Sequence, residues 1–235
     1  MTALDAALRM DQQYRYQRYI YDISRKYYLL GRDSLLKDLR LQADDSLLEI
    51  GCGTARNLAK LAYRYPTTQL YGVDASALML EIAHKNLQNT PYQDAIHLRQ
   101  GLVEQIHWQD FGLDTPWDHV LFSYVLSMLP DGVNALEQAL SLLKPQGSLH
   151  IVDFSDQAHM PIWFRKALLT WLAWFNVHPQ PQLLKHLESL AVKYQADLQV
   201  KHLAGRYAFI ARFRKRESLN PAPANLPHLA NYLNL

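Results

Sequence analysis

Apolar and polar positions along this chain follow two rhythms that take turns. Short apolar runs at residues 47–50, 69–73, 95–99, 119–123 and 148–154 have the length of buried strands. Between them lie stretches with helical spacing, among them residues 57–65, stopped by Pro66, and residues 78–87. Repeated strand–helix–strand units predict parallel strands, because a helical crossover returns the chain to the edge it left. Past Pro161 come a tryptophan-rich helix (Trp163, Trp171, Trp174), a helix over residues 183–194, and strands at 198–203 and 207–212 joined around Gly205. Those last strands read as an antiparallel pair. The predicted class is α/β: a seven-stranded, mostly parallel sheet with helices on both faces and a final antiparallel strand. Ligands of such sheets bind beyond the carboxyl ends of the strands.

The flanks differ from this body. Residues 11–39 hold six of the fourteen tyrosines and no proline, and Tyr16, Ile20, Ile23, Tyr27 and Leu30 fall at helical spacing. Residues 1–40 are therefore expected to form a helical cap, broken near Gly31. Residues 218–235 carry Pro221, Pro223 and Pro227 with few charges and are expected to be a flexible tail.

Composition narrows the function. A chain of 235 residues suits one large domain, and 49% hydrophobic with 20% charged residues is an ordinary folded composition. The net charge of +2 does not by itself argue for nucleic acid or an anionic membrane. The basic region 201–216 has only Tyr207 and Phe209 as interleaved aromatics, so no nucleic-acid partner is expected. The single cysteine, Cys52, excludes an internal disulfide and a multi-cysteine zinc site; no metal is expected, and a reducing, cytoplasmic compartment fits. The most apolar run, residues 160–177, contains Arg165 and Lys166 and falls short of the ~20 apolar residues that span a bilayer.

Candidate chemistry is concentrated at Glu49-Ile50-Gly51-Cys52-Gly53-Thr54-Ala55-Arg56, which follows the first strand and opens a helix. Glycines in that place let a ligand touch main-chain N–H groups. A dinucleotide fingerprint needs a small residue where this chain has Arg56, and a phosphate-binding loop needs a Lys-Ser or Lys-Thr pair that is missing after the turn. What remains is Glu49 two before the first glycine, then Gly51 and Gly53, then Asp74 twenty-one residues beyond Gly53. This combination resembles the class I S-adenosylmethionine-dependent methyltransferases of Rossmann-like fold, with residues 41–217 as the methyltransferase domain. S-adenosylmethionine has no phosphates, so the helix N-terminus is free to face its methionyl carboxylate. The resemblance implies that Glu49 faces the ammonium and sulfonium and that Asp74 accepts from the ribose hydroxyls. Gly51, Cys52, Gly53, Ala75, Gly101, Leu102 and Ser123 complete the implied cofactor site. The family's third glycine is Ala55 here, and Leu102 stands where many relatives have an aspartate for the adenine amino group. Adenine contact is therefore expected from backbone, with Leu102 packing on the ring, and Cys52 is read as a small turn residue.

Four segments go beyond what the generic fold needs: residues 21–33, residues 122–130, residues 152–157, and Pro161 through Trp171, Leu172 and Phe175 to Pro179. They are similar to the N-methyltransferases of betaine-lipid synthesis, which trimethylate diacylglyceryl-homoserine, and the likeness runs roughly from Tyr14 to Arg214. It implies an amine-bearing lipid substrate. The implied partners are a membrane surface and the enzyme that supplies the homoserine lipid, with the protein cytoplasmic and peripheral on the inner membrane face. An amine attacks a sulfonium methyl only as the neutral base, so the site must shed a proton and hold the reacting atoms in line. Tyr124, Ser127 and Asp153 are the catalytic candidates to hold the amine or relay that proton. Tyr21, Tyr27, Tyr28 and Tyr124 could face the quaternary product, and Arg25, Arg32 and Arg165 could hold the homoserine carboxylate. Residues 160–178 either lie in a membrane interface or form a buried helix that caps the sheet or lines the lipid pocket. Residues 9–40 carry eight basic side chains against four acidic ones, which favours anionic lipid. Two rival readings stand beside this one: an N-methyltransferase of another amine (an ornithine lipid, phosphatidylethanolamine or a soluble metabolite), and a nucleoside-binding module without catalysis.

Overall fold

A computed structural model describes residues 29–216 of the chain. Tyr21, Arg25, Tyr27 and Tyr28, most of the expected cap and the expected tail lie outside the described residues. The strands are β1 (Ser46–Ile50), β2 (Gln69–Asp74), β3 (Ile96–Gln100), β4 (Trp117–Ser123), β5 (Leu143–Phe154), β6 (Asp197–Leu203) and β7 (Ala208–Arg214). The α-helices are α1 (Arg32–Asp38), α2 (Arg56–Arg64), α3 (Ala77–Leu87), α4 (Gly132–Ser141), α5 (Ile162–Trp174) and α6 (Gln182–Lys193). One sheet of order β3-β2-β1-β4-β5-β7-β6 holds all seven strands. From β3 to β5 the pairs are parallel, and β7 runs antiparallel to both β5 and β6. This is the Rossmann-like class that the apolar rhythm predicts.

Successive side chains of a strand point to opposite faces, so each central strand feeds two cores. Leu47, Leu121, Val152 and Ile210 pack with Leu58, Leu61, Leu80 and Leu168 on one face. Leu48, Val120, Ile151 and Phe209 pack with Leu136, Leu140, Leu183 and Leu187 on the other. Covering both faces is why all five residues of β1 are buried, the polar Ser46 and Glu49 included. Strand β6 is an edge, mostly exposed and bearing Lys201 and His202, a composition that discourages further strand pairing. Strand β5 begins five residues earlier than the apolar run at 148 suggests, because Leu143 already pairs with Trp117 across an irregularity in β4.

The segment leading into α1 is laid over the carboxyl edge of the sheet. Leu29 is buried there, and the Tyr124 hydroxyl donates to the Leu30 carbonyl at 2.5 Å. Gly31 turns the chain at φ 82°, where an added Cβ would lie 2.3 Å from Leu203 Cδ1. At the end of β1, Gly51 adopts φ 68°, and a Cβ on it would sit 2.3 Å from Val125 Cγ2. Left-handed strain and overpacking then add. Gly51→Ala is expected to cost about 2–4 kcal/mol in denaturant unfolding. Val125→Ala in the same chain should recover part of that loss, whereas strictly additive destabilisation would show that the clash does not form.

Candidate functional site

The site lies at the carboxyl ends of β1, β2 and β4. Main-chain N–H groups of Gly51 and Cys52 donate to Val73 O at 2.7 and 3.0 Å, so the turn after β1 is tied to β2. Asp74, the last residue of β2, accepts from Gly53 N at 2.8 Å and from Ser76 N at 2.9 Å. Ser76, rather than Asp74, caps α3, accepting from Met79 N. Gly51, Gly53 and Ala55 are all left-handed, and Ala55 opens α2 from that conformation. The Ala55 change from the family's third glycine is thus a strained one.

Two cavities meet at this turn and share Gly51 and Gly53. The larger, about 560 Å³, is lined by Glu49, Cys52, Thr54 and Ser123, with Leu29, Arg32 and Asp33 on one side and Arg56, Asn57, Lys60 and Asn86 on the other. The narrower, about 60 Å³, runs between Asp74, Ala75, Gly101 and Leu102 and the apolar side chains of Ile50, Val73, Met79, Val125, Met128 and Leu129. Each of the nine residues that the family resemblance assigns to the cofactor lines one cavity or the other.

Charge in the larger cavity is unevenly satisfied. Glu49 is buried, and its Oε1 accepts from Asn57 Nδ2 at 2.6 Å. Its Oε2 and the buried Ser123 hydroxyl have no partner among the described residues. Burial pushes the Glu49 carboxyl up to about 8, against the downward pull of Asn57 and Arg32. At the mouth, Arg56 donates to both oxygens of Asp33 at 3.0 and 3.2 Å and Lys60 to one at 3.0 Å. The Arg56 bond, followed by Lys60, holds the Asp33 carboxyl down to about 2. Burial and the nearby Asp74 and Glu49 carboxylates push the Cys52 thiol well up, leaving it inert as a nucleophile.

These features fit S-adenosylmethionine. An acid with one orphaned oxygen and an orphaned hydroxyl suit an amino-acid end. The glycine turn suits close main-chain approach, and the apolar slot suits a flat base. When bound, the group supplies a methyl on a positive sulfur; Glu49, Ser123, Asp74 and the turn would hold it.

The structure gives the three catalytic candidates partners outside both cavities. Tyr124, Ser127 and Asp153 line neither cavity. Tyr124 is buried at φ 60°, its hydroxyl on Leu30 O and its ring edge-on to Phe154. Asp153 is fully buried, accepting from Phe154 N at 2.7 Å and Ser127 N at 3.2 Å, and burial raises its carboxyl to about 6. Ser127 O in turn accepts from His178 N. The side chains of Tyr124 and Asp153 hold main chain, and Ser127 is held through its backbone. Arg165 is exposed on α5 and lines neither cavity, whereas Arg32 lines the larger one. Sequence reasoning missed Asn57, Lys60 and Asp33 as lining residues. A signal was available for two of them, since Asn57 and Lys60 lie in the first turns of the helix that the glycine turn opens.

A family model described as a methyltransferase domain matches residues 41–205. Among curated proteins, a demethylmenaquinone methyltransferase of Lactobacillus johnsonii is 28% identical over 187 residues, covering 76% of this chain and 73% of that one. Among solved structures, the plantazolicin methyltransferase BpumL, bound to a triazolic desmethyl analogue and SAH, aligns with TM-score 0.66 at 14% identity over 92% of this chain and 95% of that one. Phosphoethanolamine N-methyltransferase 2 of Haemonchus contortus, with S-adenosyl-L-methionine, aligns with TM-score 0.65 at 14% identity over 80% of this chain and 52% of that one.

Glu49 generates a prediction with a defined sign. In the cofactor-free fold its carboxyl stays protonated to about 8, but it ordinarily titrates at 4.5, so the unfolded chain sheds that proton first. Stability therefore falls as pH rises between those values. Glu49→Gln should melt above the parent at pH 8 and level with it below pH 4.5, while binding S-adenosylmethionine about tenfold or more weakly at pH 8. Melting curves and calorimetric titration check this; a variant that melts lower at pH 8 would contradict the burial argument.

Proposed function

Since the chain belongs to the methyltransferase-domain family and takes S-adenosylmethionine as its methyl donor, we propose that it methylates the amine of a lipid whose head group is an amino acid, diacylglyceryl-homoserine. The observation that carries this reading is the cationic wall of the larger cavity, where Arg32, Arg56 and Lys60 stand around a single exposed carboxylate, Asp33. An α-amino acid head group asks two things of its site. Its carboxylate needs a cation, for which a guanidinium is well shaped. Its ammonium must lose a proton before nitrogen can attack, and nearby positive charge lowers an amine's pKa. One cluster of cations serves both needs, and no strong general base is required of the protein.

The segments that carry the betaine-lipid resemblance support the same reading by where they sit. Leu29, Arg32 and Asp33 line the larger cavity. Tyr124 bonds to Leu30, Asp153 bonds to Ser127, and Leu168 and Leu172 of α5 share a core with Leu29, Tyr124 and Phe154. Each segment thus braces the wall an acceptor must meet.

A second reading, methylation of a demethylated quinone, is favoured by the Lactobacillus johnsonii relative. A neutral ring has little use for three cations. Purified protein should convert diacylglyceryl-homoserine in mixed micelles to a ladder of one, two and three added methyls by mass spectrometry, and leave demethylmenaquinone unchanged. The reverse result would transfer the assignment to the quinone. Arg32→Ala should raise the lipid's KM about tenfold or more while changing cofactor affinity little; equal losses in both would remove Arg32 from the acceptor.

A further inference from the structure

Helix α5 presents apolar side chains on both of its faces. Leu168 and Leu172 are buried against the carboxyl edge of the sheet, together with Leu29, Tyr124 and Phe154. On the outer side Ile162 is 74% exposed, Trp163 72% and Trp174 73%. At helical spacing, Lys166 falls among these three, opposite Leu168 and Leu172. The helix ends beside the ligand site: Phe175, just past α5, packs with Met79 and Met128, which line the narrower cavity.

The charge pattern says what kind of surface this face meets. From Gln157 through Leu187 there is no aspartate or glutamate, while Arg165, Lys166 and Lys185 are present. Self-association through this face would bury Lys166 against the same acid-free stretch of a second copy, at considerable desolvation cost. At a lipid interface the same lysine keeps its ammonium among phosphates while its stem and the indoles lie beside acyl chains. Thirteen residues at ~1.5 Å each are too short to cross a bilayer, and no described helix is long and apolar enough to do so.

We propose that the outer face of α5 docks the protein on an anionic bilayer, with Ile162, Trp163 and Trp174 at headgroup depth and Lys166 on lipid phosphates. Docking holds the carboxyl edge of the sheet, with its cavities, against the surface where an amphiphilic acceptor resides. It does not depend on which acceptor is methylated.

Flotation of the full chain with vesicles of phosphatidylcholine, alone or mixed with phosphatidylglycerol, tests this without cofactor or acceptor. The parent should float with the mixed vesicles. Trp163→Gln with Trp174→Gln should weaken that about tenfold or more at unchanged melting temperature, and Lys166→Gln should reduce the preference for phosphatidylglycerol. In detergent micelles the tryptophan variant should keep activity within about twofold of the parent, whereas a wrong acceptor would give no product there for either protein. A parent that does not float, or a tryptophan variant that floats as well, would overturn the proposal. So would a concentration-dependent dimer in light scattering that the tryptophan variant loses, since that would assign the face to a second copy.

Discussion

The ligand side of this molecule depends on the carboxylate of Asp74 reaching back to the N–H of Gly53. That bond and the two main-chain bonds to Val73 O clamp the turn after β1 to the end of β2. The turn needs a clamp because three of its five residues are left-handed and one of those, Ala55, has a Cβ, which costs roughly 1–2 kcal/mol. β1, paired on both sides and buried on both faces, gives the clamp a rigid base. Its consequence is geometric: α2 starts where Arg56, Asn57 and Lys60 all line the larger cavity.

Two buried carboxyls show how like environments serve unlike ends. Glu49 and Asp153 are both raised by desolvation, to about 8 and about 6. Asp153 gives each oxygen to a main-chain N–H and so stitches the turn after β4 to β5. Glu49 gives one oxygen to Asn57 and leaves the other unpartnered. A buried polar atom without a partner is costly in the free protein, and a cationic ligand removes that cost. The satisfied acid is architecture, and the unsatisfied one has an oxygen left for a ligand.

This distinction marks the limit of what sequence reveals. Strand positions, the parallel order and the glycine turn with Asp74 were legible because they follow from period, spacing and left-handed glycine, all properties of neighbouring residues. Arg32 and Ser123 entered as candidates only through the family resemblance, and both line the larger cavity. Proximity to a strand end does not tell which way a side chain turns there, and Tyr124, Ser127 and Asp153 line neither cavity. At the end of β4, Ser123 lines the cavity, but the next residue takes φ 60° and sends its hydroxyl to Leu30, ninety-four residues away in sequence. The pairing of Asp33 with Arg56 and Lys60 is also long-range, and nothing local announces it.

The same long-range bonds separate what the fold shares from what distinguishes this chain. Solved structures at 14% identity reproduce the sheet over 80% or more of the chain, so the sheet and turn cannot themselves choose an acceptor. Choice rests with groups set over the carboxyl edge. Here that covering is tied down at Tyr124–Leu30, at Asp153–Ser127 and through the packing of α5. Bonds of that kind fix Leu29, Arg32 and Asp33 relative to Glu49 and Ser123. A relative with the same turn but a different covering would bind the same donor and methylate something else.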